Sequence, residues 1–337
     1  MKSECDYLLS ICIPTFNRAK YLDINLQNLS HQKDIDKVQI VISDNNSQDD
    51  TLDVVKKYKQ LNIKYFKHEH NIGANKNCDF LITISDGKFS WFMGDDDNIT
   101  KNSLSRVLIA LKNNSKIGLL AVDFTAHQGD LSFTESSNKD VKYKKGRELF
   151  YFLHLKLQFI SINIVNTLKY KRSIIKCQNA PLQERHILQI MDILSNNSAY
   201  FLNQKIVQSG YTDHNLSRLG YDHESMFDKK DTLPRSSYWL DLFFRFPKAH
   251  IQNGIETLNY DEKSLKACKR SLDKRLFLMY LANKKEGKSK NDKFKDICEV
   301  FNFNSSKILF LLAYVIPEKS VPHLWLVYKS LERLIKK

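Results

Sequence analysis

The stretch FSWFMGDDD, residues 89–97, joins an aromatic and apolar run to three consecutive carboxylates, Asp95, Asp96 and Asp97. The aromatic part is typical of a buried strand, and glycine and aspartate are ordinary residues for the turn that ends one. Three adjacent like charges, however, repel one another unless a cation lies among them. The stretch therefore leaves two interpretations open, a polar turn and a divalent-cation site.

Apolar runs and helical patterns alternate on the N-terminal side of this stretch. Short apolar runs that end in proline or turn residues are typical of buried parallel strands, and leucines at helical spacing between the first two runs predict a crossover helix. We predict strands at 8–14, 38–47, 63–69 and 88–93, with helices at 18–32, 49–60 and 71–85. Residues 1 to about 125 thus indicate an α/β fold with an open, mostly parallel sheet flanked by helices.

The rest of the chain has a less regular pattern. Residues 124–145 are polar and predict a loop or hairpin linker, and residues 147–210 look mixed, with a helix at 184–195. Beyond residue 236 the pattern is mainly helical. We expect one domain over residues 1–210, composed of halves 1–125 and 126–210, followed by a mainly helical region over 211–337.

Composition limits the class of protein. The chain has 337 residues, 42% of them hydrophobic, and a net charge of +14, so its surface attracts phosphate-rich partners or anionic membrane. The six cysteines form no CxxC pair, which argues against a zinc site and a disulfide framework and fits a reducing cytoplasm. The N-terminus predicts no signal peptide, and no apolar run reaches the roughly 20 residues of a spanning helix.

The C-terminal segment HLWLVYKSLERLIKK, residues 323–337, has leucines on one helical face and basic residues mostly elsewhere. Such a helix either lies on an anionic cytoplasmic leaflet or docks on the core with a solvated basic tail. No basic and aromatic stacking motif is present, so we expect no nucleic-acid partner. The predicted location is the cytoplasm, with peripheral binding at the inner face of the cytoplasmic membrane as an option.

Polar clusters follow three predicted strands, where open α/β sheets bind their ligands. After the second strand, Asp44 has an acceptor for a base or ribose, or it caps a turn. After the first strand, Thr15 and Asn17 have hydrogen-bonding groups for a nucleoside, and Arg18 either pairs with phosphate or is a solvated helix-start charge. Gly73 lets the backbone approach a ligand, or marks a plain turn. With Mn²⁺ or Mg²⁺ at the third cluster, the three together predict a nucleoside diphosphate site.

The motifs LLSICIPTFNRAKYL, IVISDNNSQDDT, HEHNIGANKN and FSWFMGDDD together resemble family 2 glycosyltransferases of the GT-A fold, and among them the bacterial O-antigen enzymes related to abequosyltransferase. The resemblance covers residues 8 to about 125. It implies a nucleotide-sugar donor, a divalent cation and inverting transfer to a hydroxyl group.

The resemblance also assigns residue roles. Pro14, Thr15, Asn17 and Asp44 would line the nucleoside pocket and Gly73 would approach it. Asp96 would be the best metal ligand, Asp95 the next and a donor contact, and Asp97 a supporting partner, while Gly94 stands where the common pattern has its first Asp.

Inverting transfer needs a base that takes a proton from the acceptor hydroxyl. The family often has a Glu-Asp pair for this near the middle of the chain, but the corresponding segment here, PLQERHILQIMDIL, has none. Glu184 and His186 are our candidates, with Asp192 a weaker one. Each of them is otherwise an ordinary helix residue.

The resulting hypothesis is metal-dependent transfer of a hexose or deoxyhexose, with a 3,6-dideoxyhexose as one candidate. The donor would be UDP-, CDP- or GDP-linked, and the acceptor a lipid-linked O-antigen or related polysaccharide precursor. An alternative is a basic, non-catalytic module that binds membrane or nucleic acid. A third reading, a nucleotidyltransferase, normally has a glycine-rich phosphate loop after the first strand, and PTFNRAKYL has no glycine.

Overall fold

The computed structural model describes residues 7–125 and 139–210, except for 154–156, 158 and 179–181. These residues form a sheet with helices packed on it. The strands are Tyr7–Thr15 (β1), Gln39–Asp44 (β2), Ile63–Lys67 (β3), Gly87–Phe92 (β4), Asn98–Ile99 (β5), Leu119–Thr125 (β6), Val141–Tyr143 (β7), Asn163–Asn166 (β8) and Ala199–Gln208 (β9). The helices are Ala19–Ser30 (α1), Thr51–Lys57 (α2), Ala74–Ile84 (α3), Ser103–Asn113 (α4), Gly146–Leu153 (α5), Thr167–Lys176 (α6) and Leu182–Asn196 (α7).

The strand order is β3-β2-β1-β4-β8-β6-β9-β5, with β7 paired to β9. The first four strands are parallel to one another, as the sequence predicts. β8 lies antiparallel between β4 and β6 in the interior of the sheet, so its amino end lies beside the carboxyl end of β4. The carboxyl ends of β1, β2 and β4 therefore meet at one edge, where an open α/β sheet binds its ligands.

The aromatic run that precedes the three carboxylates is core. Phe89, Trp91, Phe92 and Met93 are all fully buried, and the Trp91 indole donates a hydrogen bond to the Ser161 carbonyl, 2.8 Å away. That bond satisfies the one polar group of the tryptophan, so its burial carries no unpaired donor. The β4 backbone is thus held rigidly up to the point where the acidic segment begins.

Helix α1 packs an apolar stripe of Leu22, Leu26 and Leu29 into the core, all three fully buried. Asn25 lies on the same stripe and is buried as well. Its side-chain amide donates to the main-chain carbonyl of Asp97. A polar residue inside a leucine stripe is expensive unless bonded, so this contact fixes the helix against the acidic segment.

The second part of the domain differs from the predicted loop linker. β6 extends to Thr125, and Val141–Tyr143 forms a strand on β9 inside the segment that we predicted to be a loop or hairpin linker. The short sequence VKY has too little pattern to predict a strand; its partner on β9 supplies the missing hydrogen bonds. The region over 211–337, including its basic amphipathic end, lies outside the described residues.

The lengths and compositions of the helices bear on whether the chain crosses a membrane. Among the helices that the structure describes, none has the length and apolar content to cross a bilayer.

Candidate active site

The acidic segment after β4 is tied to the end of β1. The Thr15 hydroxyl donates to Asp95 Oδ2 at 2.9 Å, and Arg18 Nε lies 2.9 Å from Asp95 Oδ1. Arg18 Nη2 also pairs with Asp96 Oδ2. One guanidinium therefore bridges two adjacent carboxylates, and residues 80 positions apart in sequence meet at one edge of the sheet.

Asp97 has partners of its own. Ser161 donates its hydroxyl to Asp97 Oδ2, and the Gly210 amide donates to Oδ1 at 2.8 Å. Ser161 Oγ also accepts from the Gly94 amide at 2.9 Å. Asp97 is 4% exposed. Its carboxylate is therefore buried, and its hydrogen bonds fix the conformation of the acidic segment.

The electrostatics of the segment reflect an excess of negative charge. Asp95 is 6% exposed, and burial raises the pKa of its carboxyl while Arg18 partly offsets the shift. Burial also raises the pKa of Asp97, and the neighbouring Asp96 charge adds to that shift. A single guanidinium does not neutralise three carboxylates this close together. Asp96, with 29% of its side chain exposed, is the carboxylate that faces solvent most.

The carboxylate oxygens of Asp95 and Asp96 suit a hard divalent cation, because such oxygens are the ligands that Mg²⁺ and Mn²⁺ prefer. The excess negative charge at Asp95 and Asp96 would be offset by such an ion. The described residues contain no cluster of three or more ligating side chains arranged around a metal position. Among the described residues, Asp95 and Asp96 are therefore the candidates for holding a cation, and phosphate oxygens and water would be further ligands.

A second polar cluster lies at the end of β2. Asp44 and Thr15 are paired in register across β2 and β1. Asp44 is fully buried, and it accepts from the Ser47 amide at 2.7 Å and from the Tyr65 hydroxyl at 2.6 Å. Burial and the hydrogen bond to Asp44 raise the Tyr65 pKa, so the phenol stays protonated and remains a donor. The Asp44 carboxylate thus has both a turn-capping contact and a side-chain partner.

The loops around Asp44 are joined by amide side chains. Asn17, with φ of 53°, has its own amide bonded to Ser47 Oγ at 2.8 Å, and its Oδ1 accepts from the Gln48 amide at 2.7 Å. Pro14 lies on β1 opposite Ser43. These contacts hold the loop after β1 against the loop after β2.

Gly73 begins helix α3 with φ of 85°, a left-handed conformation that favours glycine. A Cβ atom at this position would meet nothing within 4 Å. The glycine is required here for its backbone conformation.

The candidate bases lie on α7, away from the carboxylate cluster in sequence. His186 packs edge-on against Phe92, its Nδ1 lies 3.1 Å from the Tyr170 hydroxyl and its Nε2 lies 3.4 Å from Asn163 Nδ2. Burial lowers the His186 pKa to about 4, so the ring is neutral near pH 7. Asp192 pairs with Lys176 on α6. Glu184 lies in the first turn of the same helix.

Four residues of the site have roles that the sequence does not predict: Asn25, Tyr65, Ser161 and Gly210. Asn25 could have been identified from the sequence, because it is a polar residue that interrupts the leucine stripe of α1. Tyr65 alternates with exposed positions on the edge strand β3, and nothing local connects it with Asp44. Ser161 and Gly210 reach the acidic segment only through tertiary folding, because they lie 64 and 113 residues from Asp97.

Comparison with known proteins places this geometry in a class. Residues 10–167 match the model of the family described as glycosyl transferase family 2. Residues 10–167 are therefore similar to a glycosyltransferase domain of that family, in agreement with the resemblance that the sequence motifs indicate.

Two bacterial relatives are similar over part of the chain. Abequosyltransferase RfbV of Salmonella typhimurium is 33% identical over 116 residues, which are 33% of this chain and 35% of that protein. GalNAc(5)-diNAcBac-PP-undecaprenol beta-1,3-glucosyltransferase of Campylobacter jejuni is 34% identical over 103 residues, 30% of this chain and 33% of that protein. The matched part thus spans about a third of the length of each relative.

Solved structures confirm the fold. The crystal structure of Staphylococcus aureus TarS has a TM-score of 0.58 and 18% identity, and the match covers 92% of this chain and 49% of that one. TarS 1–349 in complex with UDP-GlcNAc has a TM-score of 0.55 and 17% identity, over 90% of this chain and 79% of that one. Likeness at this identity establishes the GT-A fold.

Proposed function

We propose that this protein transfers a hexose or deoxyhexose from a nucleotide-sugar donor to a sugar hydroxyl on a lipid-linked O-antigen or related polysaccharide precursor. The observation that carries the proposal is the contact of Thr15 and Arg18, at the end of β1, with Asp95 and Asp96, after β4. It creates an acidic and basic cluster at the edge where a nucleotide binds to an open α/β sheet. The family of the domain supplies the reaction class.

The nucleoside would bind over β1 and β2. Asp44 would accept a hydrogen bond from the base or the ribose, next to Pro14, Thr15 and Asn17. The turn at Gly73 borders the same loops, because the Asn71 side chain accepts from both Asn45 Nδ2 and the Gly73 amide. The Asp44 carboxylate is buried and already held by hydrogen bonds from the Ser47 amide and the Tyr65 hydroxyl. This rigidity favours the role, since a rigid acceptor loses little entropy on binding.

The diphosphate would lie over the acidic segment. Asp96 and Asp95 would hold Mn²⁺ or Mg²⁺, and the chemistry such a cation supplies when bound is stabilisation of the charge on the leaving diphosphate. Asp97 keeps the segment in shape through Ser161 and Gly210. The protein's own contribution is to hold the anomeric carbon of the sugar at the edge of the sheet while the acceptor hydroxyl approaches from the opposite face.

Inversion requires a base on the acceptor side, and Glu184 and His186 of α7 are proposed for it. A neutral imidazole is the protonation state that accepts a proton. The burial that lowers the His186 pKa also makes the ring a weak base, and both of its nitrogens lie near other polar groups. For His186 to serve, one of these contacts has to open when the acceptor binds.

The proposed acceptor and location come from the relatives. The printed name of the Campylobacter relative refers to an undecaprenol-linked glycan. A lipid-linked acceptor would bring this basic protein to the cytoplasmic face of the membrane, where anionic lipids attract positive charge.

Calorimetric titration of the full chain with UDP, CDP and GDP, each with and without Mn²⁺, tests the proposal. We expect one nucleoside diphosphate to bind more tightly with Mn²⁺ than without it. In Asp96→Asn, Mn²⁺ should no longer raise the affinity for that nucleoside diphosphate. Asp36→Asn, a carboxylate before β2 that is absent from the site, is the control. If no nucleoside diphosphate binds while anionic vesicles or an oligonucleotide do, the protein is a basic binding module instead.

A further inference from the structure

Arg18 occupies an unusual position for a phosphate-binding residue. Its guanidinium contacts Asp95 and Asp96, the same two carboxylates proposed to hold the divalent cation. The guanidinium carbon also lies 4.6 Å from the centroid of the Tyr21 ring. Only 18% of the Arg18 side chain is exposed. The guanidinium is thus held by two anions on one side and an aromatic face on another.

A guanidinium and a divalent cation that contact the same carboxylates lie close together, so their positive charges repel each other. Arg18 takes Asp95 Oδ1 and Asp96 Oδ2, and Thr15 takes Asp95 Oδ2. Asp96 Oδ1 is the carboxylate oxygen of this pair with no hydrogen bond or ion pair recorded to the described residues. A divalent cation that binds both carboxylates therefore lies beside the Arg18 guanidinium, and the repulsion between the two positive charges weakens the contacts of Arg18 with Asp95 and Asp96.

The displaced guanidinium would have a second suitable partner close by. Arginine binds phosphate with two parallel hydrogen bonds, as it binds carboxylate. Arg18 comes directly before α1, whose backbone is anchored independently by the Ala19 amide bond to Asp49 and by the Tyr21 and Leu22 amides on the Arg18 carbonyl. The side chain can therefore swing while its backbone stays in place.

We propose that Arg18 exchanges partners when the donor binds: it leaves Asp95 and Asp96 as the divalent cation takes their oxygens, and then pairs with the donor diphosphate. This inference rests on the proposed function. Its consequence is that metal and nucleoside diphosphate bind cooperatively. Metal alone competes with Arg18 for the carboxylates, and diphosphate alone finds Arg18 already engaged.

The exchange makes opposite predictions for two titrations of one variant. In Arg18→Gln, MnCl₂ alone should bind roughly tenfold more tightly than in the wild type, because a competing charge-assisted contact is gone. With saturating Mn²⁺, the nucleoside diphosphate that binds the wild type should bind roughly tenfold more weakly, because a phosphate ligand is gone. Arg172→Gln, which removes an exposed arginine of α6, is the matched control and should change neither.

The readout is calorimetry of the full chain at pH 8, with circular dichroism to verify the fold of each variant. Arg18→Lys provides a second variant, since lysine keeps the charge but cannot bridge two carboxylates in a fork, and it should show a smaller cooperativity than the wild type. Unchanged or weaker Mn²⁺ binding in Arg18→Gln overturns the exchange. So does nucleoside diphosphate binding that is unaffected by the substitution.

Failure of the proposed function gives a different result. In that case the wild type binds neither Mn²⁺ nor any of the three nucleoside diphosphates, and both proposals fall together. If the wild type binds them cooperatively but Arg18→Gln keeps the same cooperativity, the transferase proposal stands and the exchange alone is wrong.

Discussion

The buried histidine of α7 gives a pH-dependent contribution to stability that can be calculated. His186 is enclosed by Phe92, Tyr170 and Asn163, and burial lowers its pKa from 6.5 to about 4. Unfolding exposes the ring and restores the ordinary pKa, so the unfolded state takes up a proton between these two values. The free energy of unfolding contributed by His186 is fully present above pH 6.5 and is lost as the pH falls toward 4.

The size of the effect follows from the two pKa values. Lowering the pH from 7 to 5 should reduce the free energy of unfolding by about 2 kcal/mol through this one group. Partial exposure of the ring makes this an upper figure. His186→Gln removes the titrating group and keeps a helix-forming polar residue.

The assay is guanidinium unfolding at pH 7 and pH 5, followed by tryptophan fluorescence and compared between wild type and His186→Gln. The wild type should lose about 2 kcal/mol more than the variant between these pH values. His70→Gln, at an exposed position, is the control and should behave as the wild type. Equal losses in wild type and His186→Gln would show that His186 does not titrate in this way, as would an NMR titration of the His186 ring with a midpoint near 6.5.

Three further substitutions test the site's construction. Ser161→Ala should lower the free energy of unfolding by about 1–3 kcal/mol, because Asp97 and the Gly94 amide lose a buried partner; Ser195→Ala on α7 is the control, and denaturant unfolding measures both. Gly94→Ala should lower the stability by about 1–3 kcal/mol, because a Cβ there would lie 2.7 Å from Asp97 Oδ2, and an unchanged melting temperature would contradict the packing. Tyr65→Phe should cost about 1–2 kcal/mol by leaving Asp44 Oδ2 without its donor; a variant as stable as the wild type in thermal melting would show that water replaces the phenol.

The strand ends were predictable from the sequence because their signals are local. The run before Asp44 and the run before Gly94 are apolar and end in turn residues, so their type and direction follow from pattern. Parallel strands then bring their carboxyl ends to one edge, and Thr15 lies in register with Asp44. The sequence thus predicts that these strand ends share one edge, and the structure supplies the register between them.

The partners of the acidic segment were not predictable in the same way. β8 returns antiparallel beside β4, and only that crossing brings Ser161 to Asp97. Three adjacent carboxylates repel one another unless a positive charge lies among them. In the structure a cation does lie there, the guanidinium of Arg18, which the sequence offered only as a phosphate ligand or a solvated charge.

Gly94 stands where the common family pattern has an Asp, and the structure gives a physical reason for the glycine. The space that an Asp side chain would need at this position is taken by the Asp97 carboxylate, which Ser161 and Gly210 hold in place. The sequence shows the missing carboxylate but not what fills its place.

In the proposed function, the edge formed by β1, β2 and β4 binds a divalent cation together with a nucleoside diphosphate. Crystals soaked with MnCl₂ and UDP, CDP or GDP, measured for anomalous scattering from manganese, test it most directly. We expect a manganese peak within about 2.5 Å of an Asp96 carboxylate oxygen, with the diphosphate beside it and the base near Asp44. A nucleotide bound elsewhere, or a manganese peak away from Asp95 and Asp96, would contradict it.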